Sequence, residues 1–353
     1  MNNKLFWPTF LCFCLFSTFS CQRPFLSDDD VSSKANWEKV GFTAERPIRG
    51  IHATPFEWQI ITENEFVRFD GENELQEIRP LSTNSGVLGS PALSDNTFVR
   101  LTTNDDAKQE LEFHLARNPS EIHKLLVDSL AGPTDDFVEV EFQARQVGVF
   151  SDDGTIFLLP VKVLPGRHYV LLMFQVLHNV PHTSFTSVEV IKRINLVELS
   201  TDLPRLNALR FVNGNFYVTS QEGTWRITPS GNVEQLFTQW MIDVFPFQGD
   251  IYITGLNSFD LHQSTDNGIN WERLNQNSEL KFVTNANEIL FTQAASGLVY
   301  QTVDDDLLKA QNIVFPNDYS PQDVVYFGNI FFAGKHYFAL DRAIYLTETI
   351  VVE

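Results

Sequence analysis

Residues 264–271 read STDNGINW, and this stretch has the composition of a tight turn between two strands. Ser264 and Asp266 carry oxygens that accept hydrogen bonds from backbone N–H groups of a turn. Gly268 can adopt a positive φ without steric cost. Trp271 begins the following segment, where its ring can fold back over the turn. The stretch therefore predicts a hairpin whose turn is held by its own side chains.

A related pattern recurs further along the chain. The segments LHQSTD (261–266) and VYQTVD (299–304) align at an offset of 38 positions. Thr302 and Asp304 then occupy the positions of the serine and aspartate of the first copy. The second copy is degenerate, because Asp306 stands where the first copy has glycine.

A second type of segment repeats just before these turns, with offsets of 35 to 41 positions. Its copies are GNFYV (214–218), GDIYI (249–253), NEILF (287–291) and GNIFF (328–332). A period near 40 with short strands and polar turns is typical of β-propeller blades. The sequence predicts an all-β fold, a single β-propeller of about seven four-stranded blades, and its length is also compatible with six or eight.

The four positions 264, 266, 268 and 271 fit the pattern Ser/Thr-x-Asp-x-Gly-x-x-Trp. The stretch resembles the Asp-box (BNR-like) repeat of sialidases, sortilin-type receptors and related propellers. In that family the box is structural and lies at the periphery of a blade, away from the binding face. The resemblance implies a structural role for Ser264, Asp266, Gly268 and Trp271 and for the degenerate pair Thr302 and Asp304, and it argues against catalysis by Asp266.

The first 21 residues form a leader that ends in a cysteine. Lys4 supplies a positive charge, and the apolar stretch 5–16 is too short to span a bilayer. The leader resembles a bacterial lipoprotein signal of the looser Bacteroidota type, with Thr18 where leucine is usual. The resemblance implies a signal peptide over residues 1–20 and a lipid on Cys21, which anchors the protein to a membrane. An ordinary secretory signal is the alternative.

Residues 21–35 are polar, acidic and without periodicity, so we predict a flexible tether. The acidic run 27–30 weakly resembles a signal for export to the outer face of the Bacteroidota outer membrane. The expected location is therefore the cell envelope, anchored to the outer membrane, on either its periplasmic or its surface face.

Two predictions concern how residues 36–353 form the propeller. The segment NWEKV (36–40) matches NWERL (270–274), which begins a fourth strand, and the chain ends soon after the third strand of its last blade. Residues 36–40 are therefore predicted to pair with the C-terminal blade and remove an exposed sheet edge. An apolar-periodic run at 122–130, preceded by Asn118 or Ser120 as a capping residue, predicts a short helical insertion near 119–130.

Charge and motif content limit the function classes. The formal net charge is −20, which repels phosphate backbones and argues against nucleic-acid partners. His178 and His182 are separated by Pro181, which argues against a helical metal pair. The acidic clusters 104–106 and 304–306 lack the spacing of a calcium loop. No metal and no cofactor are expected.

Three functions remain compatible with the sequence. The first is a binding or interaction scaffold for a protein or glycan, the second a sialidase-like or other glycoside hydrolase, and the third an assembly factor for an envelope complex. The segment RPIR (46–49) does not match the arginine motif of sialidases, and no set of three arginines stands out. This favours a protein without catalytic activity but leaves the question undecided. Trp58 and Trp240 are either glycan-platform residues or core residues.

Overall fold

The structure of the protein is a computed structural model. The described residues are 36–81, 87–133, 137–140, 147–164, 168–196, 206–256, 260–274, 283–287, 289–293, 299–303, 306–313, 315, 326–348 and 350. Within them the chain forms seven antiparallel sheets and one short 3₁₀ helix. The prediction of an all-β fold with about seven blades is confirmed.

Blades are numbered along the chain, and strands a to d run from the inner to the outer strand of each blade. The first strand, β1 (Glu38–Thr43), precedes blade 1. Blade 1 contains β2 (Ile48–Ala53), β3 (Trp58–Thr62), β4 (Glu65–Phe69) and β5 (Leu75–Pro80). Blade 2 contains β6 (Val87–Leu93), β7 (Thr97–Thr103), β8 (Gln109–Leu115) and β9 (Asn118–Leu126), and the 3₁₀ helix Val127–Leu130 follows. Blade 3 contains β10 (Phe137–Val140), β11 (Val149–Phe150), β12 (Ile156–Leu164), β13 (His168–His178) and β14 (Phe185–Asn195).

The C-terminal half forms the other four blades. Blade 4 contains β15 (Leu206–Val212), β16 (Asn215–Ser220), β17 (Gly223–Ile227) and β18 (Val233–Phe237). Blade 5 contains β19 (Met241–Phe247), β20 (Asp250–Gly255), β21 (Leu261–Ser264) and β22 (Glu272–Leu274). Blade 6 contains β23 (Thr284–Ala286), β24 (Ile289–Gln293), β25 (Val299–Val303) and β26 (Asp306–Asn312). Blade 7 contains β27 (Tyr326–Phe332), β28 (Lys335–Leu340) and β29 (Ala343–Thr347), with β1 as its fourth strand.

The burial of each strand follows its place in the blade. Every residue of β3 is buried, and in β16 and β20 only the first residue is partly exposed, because the neighbouring blades cover both faces of these strands. The outer strand β5 instead has only exposed and half-buried residues. The core therefore consists of apolar side chains packed between successive blades.

The inner strands form a closed ring. Each one contacts the inner strand of the next blade, in the order β27, β2, β6, β11, β15, β19, β23 and back to β27. The N-terminal strand β1 lies beside β29, with Lys39 opposite Tyr345. Just before β1, Trp37 stacks on Phe315 with ring centroids 5.1 Å apart. The first described strand thus completes the sheet of the last blade.

The inner strand of blade 3 is divided. Both β10 and β11 pair with the same strand, β12: Val140 lies opposite Val161, and Val149 lies opposite Leu158. It is β11 that contacts the inner strands of blades 2 and 4. This blade therefore departs from a simple four-strand repeat while keeping its place in the ring.

Two sequence-based assignments need correction. The helical insertion predicted near 119–130 is wrong for residues 118–126, which form β9 and pair with β8, and only the single turn Val127–Leu130 is helical. Pairing with a free sheet edge outweighs a weak helical pattern there. The copy GNIFF (328–332) lies in strand a, whereas its presumed siblings lie mainly in strand b. The segment of blade 7 that corresponds to these copies begins at Gly334, six positions later, in the turn 333–334, where both φ values are positive.

Candidate functional site

One face of the ring carries the irregular turn that joins strands a and b of blade 1. Because antiparallel strands alternate in direction, the a–b and c–d turns project from the same end of every blade, called here the a–b face. In blades 4, 5 and 7 the a–b turn is a two-residue turn with both φ values positive, at 213–214, 248–249 and 333–334. In blade 1 it is longer, and the Thr54 backbone N–H donates to the carbonyl of Glu57 at 2.8 Å. This turn projects Phe56, whose side chain is 84% exposed.

Phe56 stands between two adjoining depressions of about 670 Å³ and about 480 Å³, called here the Phe56 cleft. Both depressions are lined by Thr54, Pro55, Phe56 and Asp95. The larger one reaches the a–b turn of blade 7, and the smaller one reaches the c–d turns of blades 2 and 3. The cleft therefore spans four blades of the ring.

The cleft combines charges of both signs with an exposed aromatic ring. Asp95 accepts a hydrogen bond from His52 Nε2 at 3.0 Å, and this bond lowers the pKa of the Asp95 carboxyl. Arg117 is exposed and makes no hydrogen bond or ion pair with another residue that the structure describes. Aromatic and arginine side chains are enriched in the regions of protein interfaces that contribute most to affinity. The cleft therefore contains residue types that such regions share.

A histidine pair lies at the edge of the smaller depression. His178 ends β13, and His182 lies in the turn that follows, with their Nδ1 atoms 3.0 Å apart. The side chain of Asn179 fixes this turn by accepting hydrogen bonds from the backbone N–H groups of Thr183 and Ser184, both at 2.9 Å. Burial, and then the neighbouring His182, lower the pKa of His178.

The turn at 264–271 is held by its own side chains. Ser264 Oγ donates to Asp266 Oδ1 at 2.9 Å and accepts from the Gly268 N–H at 2.8 Å. The backbone and side-chain N–H groups of Asn270 donate to the Asp266 carboxylate at 2.8 and 2.6 Å and lower its pKa to about 2. Trp271 Nε1 donates back to the carbonyl of Gly268 at 3.2 Å. All four positions of the motif thus take part in one turn between β21 and β22.

This turn also contacts the preceding blade. Arg226 of β17 donates to the carbonyl of Gly268 at 2.8 Å. A Cβ at position 268 would lie 2.5 Å from the hydroxyl of Tyr217 in β16. Blade 7 makes a corresponding contact with blade 1, where the Tyr337 hydroxyl donates to Asn73 Oδ1 at 2.6 Å. These c–d turns join the two outer strands of their blades and link neighbouring blades.

Gly268→Ala should destabilise the protein more than Gly249→Ala. Both glycines have a positive φ, +81° and +86°, so each alanine is strained by about 1–3 kcal/mol. Only at position 268 does the new methyl meet a neighbour, since nothing lies within 4 Å of a Cβ at Gly249. The clash should add about 1–3 kcal/mol, measured by urea unfolding. Equal losses for the two variants would show that the Tyr217 contact does not matter.

Several sequence-predicted residues lie elsewhere. Cys21 and Asp304 are outside the described residues, and Thr302 lies on β25 opposite Ala310. Trp58 is fully buried and stacks on Phe69 at 4.0 Å, so it belongs to the core, whereas Trp240 is 37% exposed.

Within the described ranges no three His, Cys, Asp or Glu residues form a metal-binding group. No helix in that part of the chain is long and apolar enough to cross a membrane.

Two deeply buried charged residues, Arg100 and Glu112, lie inside blade 2, away from the cleft. Arg100, Glu112 and Lys124 form a row across β7, β8 and β9. Arg100 Nη2 donates to Glu112 Oε2 at 2.5 Å, and both side chains are at most 1% exposed. His114 is also buried, with its Nε2 3.3 Å from Glu112 and its ring stacked on Phe98 at 4.6 Å. This network has no access to a substrate, so we assign it to stability.

The blade 2 network should make the protein less stable in acid. Burial lowers the pKa of His114, so the folded state binds a proton at this ring less readily than the unfolded chain, which binds one near pH 6.5. Burial raises the pKa of Glu112, but hydrogen bonds from His114 and Lys124 and the charge of Arg100 outweigh it and hold that pKa well below its usual range. The folded state therefore binds fewer protons at both groups, and stability falls as the pH drops below about 6.5 and again below about 4.5.

The test is urea unfolding at a series of pH values between about 7 and 4. His114→Gln should flatten the dependence between about pH 7 and pH 5 while leaving the steeper loss at lower pH. A variant that loses stability with the same slope as the wild type over that upper range would remove His114 from the explanation.

Comparisons with known proteins identify the fold and no family. No protein-family model matches the chain, and no curated protein matches its sequence. The WD40 domain of Neurospora crassa Pan2 matches with a TM-score of 0.50 and 11% identity, over 90% of this chain and 97% of that one. The extracellular domain of the putative hybrid two-component system BT4673 from B. thetaiotaomicron matches with a TM-score of 0.51 and 13% identity, over 89% of this chain and 40% of that one. The chain folds as a β-propeller.

A further structural match is PorZ, a surface component of the type-IX secretion system of Porphyromonas gingivalis, with a TM-score of 0.45 and 11% identity. The match covers 90% of this chain and 39% of PorZ, so the chain spans about two fifths of that protein. At this identity, the structural matches bear on the fold alone.

Proposed function

We propose that the protein is a binding scaffold that recognises an extended segment of a partner protein in the Phe56 cleft. The observation that supports this most is the exposure of Phe56, 84% on a turn fixed by its own hydrogen bonds. A rigidly presented aromatic side chain loses little conformational freedom on binding and buries a large apolar area. Loops at one end of a rigid scaffold are the usual position of binding residues.

The charges around Phe56 fit a peptide better than a uniformly charged ligand. Asp95 offers a carboxylate, and the guanidinium of Arg117 offers hydrogen-bond donors to a backbone carbonyl or an acidic side chain. A segment that places an apolar residue against Phe56 can meet both charges within the cleft. In this proposal Phe56 supplies apolar contact area, and Asp95 and Arg117 set the orientation of the partner.

Binding is tested with the purified full chain on two arrays, one of glycans and one of peptides from envelope proteins. The proposal expects selective peptide binding that is lost in Phe56→Ser. Ile269→Ser is the matched control, because Ile269 is also exposed, at 67%, but lies on the c–d turn of blade 5. Glycan binding that survives Phe56→Ser, or equal losses in both variants, would contradict the proposal.

The proposed setting is the bacterial envelope, with the propeller tethered to the outer membrane through a lipid on Cys21. The support is the leader sequence: an apolar stretch followed by small residues and the last cysteine of the chain. A tether between the lipid and the first strand would let the a–b face reach partners near the membrane.

Cys21→Ser should abolish lipid attachment. In cells grown with an alkyne-labelled palmitate, the wild-type protein should carry the label. The Cys14→Ser variant should also carry it, because position 14 lies in the segment removed with the leader. The Cys21 variant should also leave the membrane fraction. Label incorporation that is unchanged in Cys21→Ser would refute the anchor while leaving the binding proposal open to its own test.

A further inference from the structure

The turn between β13 and β14 brings two histidines into an unusual arrangement. His178 Nδ1 and His182 Nδ1 lie 3.0 Å apart, and the ring planes meet at 88° with centroids 4.5 Å apart. An imidazole nitrogen carries either a proton or a lone pair. Two Nδ1 lone pairs at this distance need a shared cation or a proton between them.

The distance matches the geometry of metal coordination. Metal–nitrogen bonds to histidine are about 2.0–2.1 Å long, so two nitrogens on one ion at angles between 90° and tetrahedral lie about 2.9–3.4 Å apart. The observed 3.0 Å falls within that range. A bound ion therefore requires little movement of either ring.

The backbone holds the two rings in this position. The Asn179 N–H donates to the carbonyl of Ser184 at 3.1 Å, and the His182 N–H donates to the carbonyl of Asn179 at 2.6 Å. The Asn179 side chain also caps the Thr183 and Ser184 N–H groups. Because His178 belongs to β13 and pairs with Phe185 of β14, this ligand is fixed to the sheet, whereas the hydrogen bonds of the turn hold His182. Such preorganisation lowers the entropic cost of binding an ion.

We propose that His178 and His182 form a two-histidine site for a divalent transition metal ion of the Zn²⁺ or Cu²⁺ type. Zn²⁺ and Cu²⁺ bind imidazole nitrogen readily, whereas Mg²⁺ and Ca²⁺ prefer oxygen ligands. Two protein ligands leave coordination positions open, and these are filled by water or by a group of a bound molecule. His182 lines the Phe56 cleft together with Arg117, so the ion lies where a ligand of the cleft can reach it. The site does not depend on the proposed peptide binding.

The test is calorimetric titration of the untagged full chain with Zn²⁺ at neutral pH. One ion per chain should bind at this site, and His178→Gln and His182→Gln should each weaken binding at least about tenfold, as losses around metal sites do. His52→Gln is the matched control, since His52 is a half-buried histidine on the same face that pairs with Asp95. Melting curves in a chelator should coincide for the three variants.

Electron paramagnetic resonance of bound Cu²⁺ gives a second readout on the wild type alone. We expect the Cu²⁺ signal to show coupling to two imidazole nitrogens. Because this measurement uses no variant, misfolding of a variant cannot affect its result. Absence of saturable Zn²⁺ binding, affinity that is unchanged in both variants, or equal loss in His52→Gln would overturn the proposal. The histidine pair would then be joined by an ordinary N–H···N hydrogen bond.

Discussion

Deletion of residues 36–42 should remove a large part of the stability of the folded chain. The deletion removes most of β1 and leaves β29 with an exposed edge. It also removes Val40, which is 5% exposed, together with the partly buried rings of Trp37 and Phe42. Fully burying a large apolar side chain contributes about 1.5–3 kcal/mol, so the loss is on the order of 5 kcal/mol. That is comparable with the total stability of many domains.

The measurement is thermal unfolding of the full chain with and without residues 36–42. We expect the melting temperature to fall by about 10 °C or more. Deletion of residues 22–28 is the matched control, because it shortens the predicted tether by the same number of residues. An unchanged melting temperature in the first deletion, or equal losses in both, would show that β1 does not seal the last blade.

Arg100→Met should be the most damaging single substitution in blade 2. It leaves the carboxylate of Glu112 buried at 0% exposure without its guanidinium partner. Removing one partner of a buried ion pair typically costs about 3–5 kcal/mol, because the other charge stays desolvated. Arg100 also donates to the carbonyl of Glu63 at 3.0 Å, so the substitution loosens the contact between blades 1 and 2 as well.

Urea unfolding separates this effect from the general effect of removing a charge. Lys124→Met is the matched control, since Lys124 contacts the same carboxylate at 2.7 Å but is 45% exposed, and it should cost less than about 1 kcal/mol. The double variant Arg100→Met with Glu112→Leu should recover much of the loss, because no uncompensated charge remains. Similar losses for Arg100→Met and Lys124→Met would contradict the role of burial.

The sequence predicted the parts of the fold that local chemistry determines. The turn at 264–271 needs only Ser264, Asp266 and Gly268 in order, and these residues make the expected hydrogen bonds. The sequence assigned GNIFF to the wrong strand of blade 7, because its residues alternate in the same way as those of a true strand b. The two-residue turn at 333–334, with both φ values positive, would have located it.

The cleft lay beyond what the sequence could predict. Phe56 belongs to one a–b turn, but its neighbours across the depressions come from positions near 95, 117, 182 and 332. Their proximity depends on which blades adjoin in the closed ring, and no local pattern specifies it. The blade 2 network was hidden for the same reason, because Arg100 and Glu112 face each other only once β7 and β8 are paired.

The recognition role of the Phe56 cleft is tested most directly by photo-cross-linking in living cells. A benzophenone amino acid placed at position 56 should form one or a few discrete adducts with a partner protein, whereas the same residue at position 269, on the exposed turn of blade 5, should not. Absence of adducts at position 56, or the same adducts at both positions, would contradict the account.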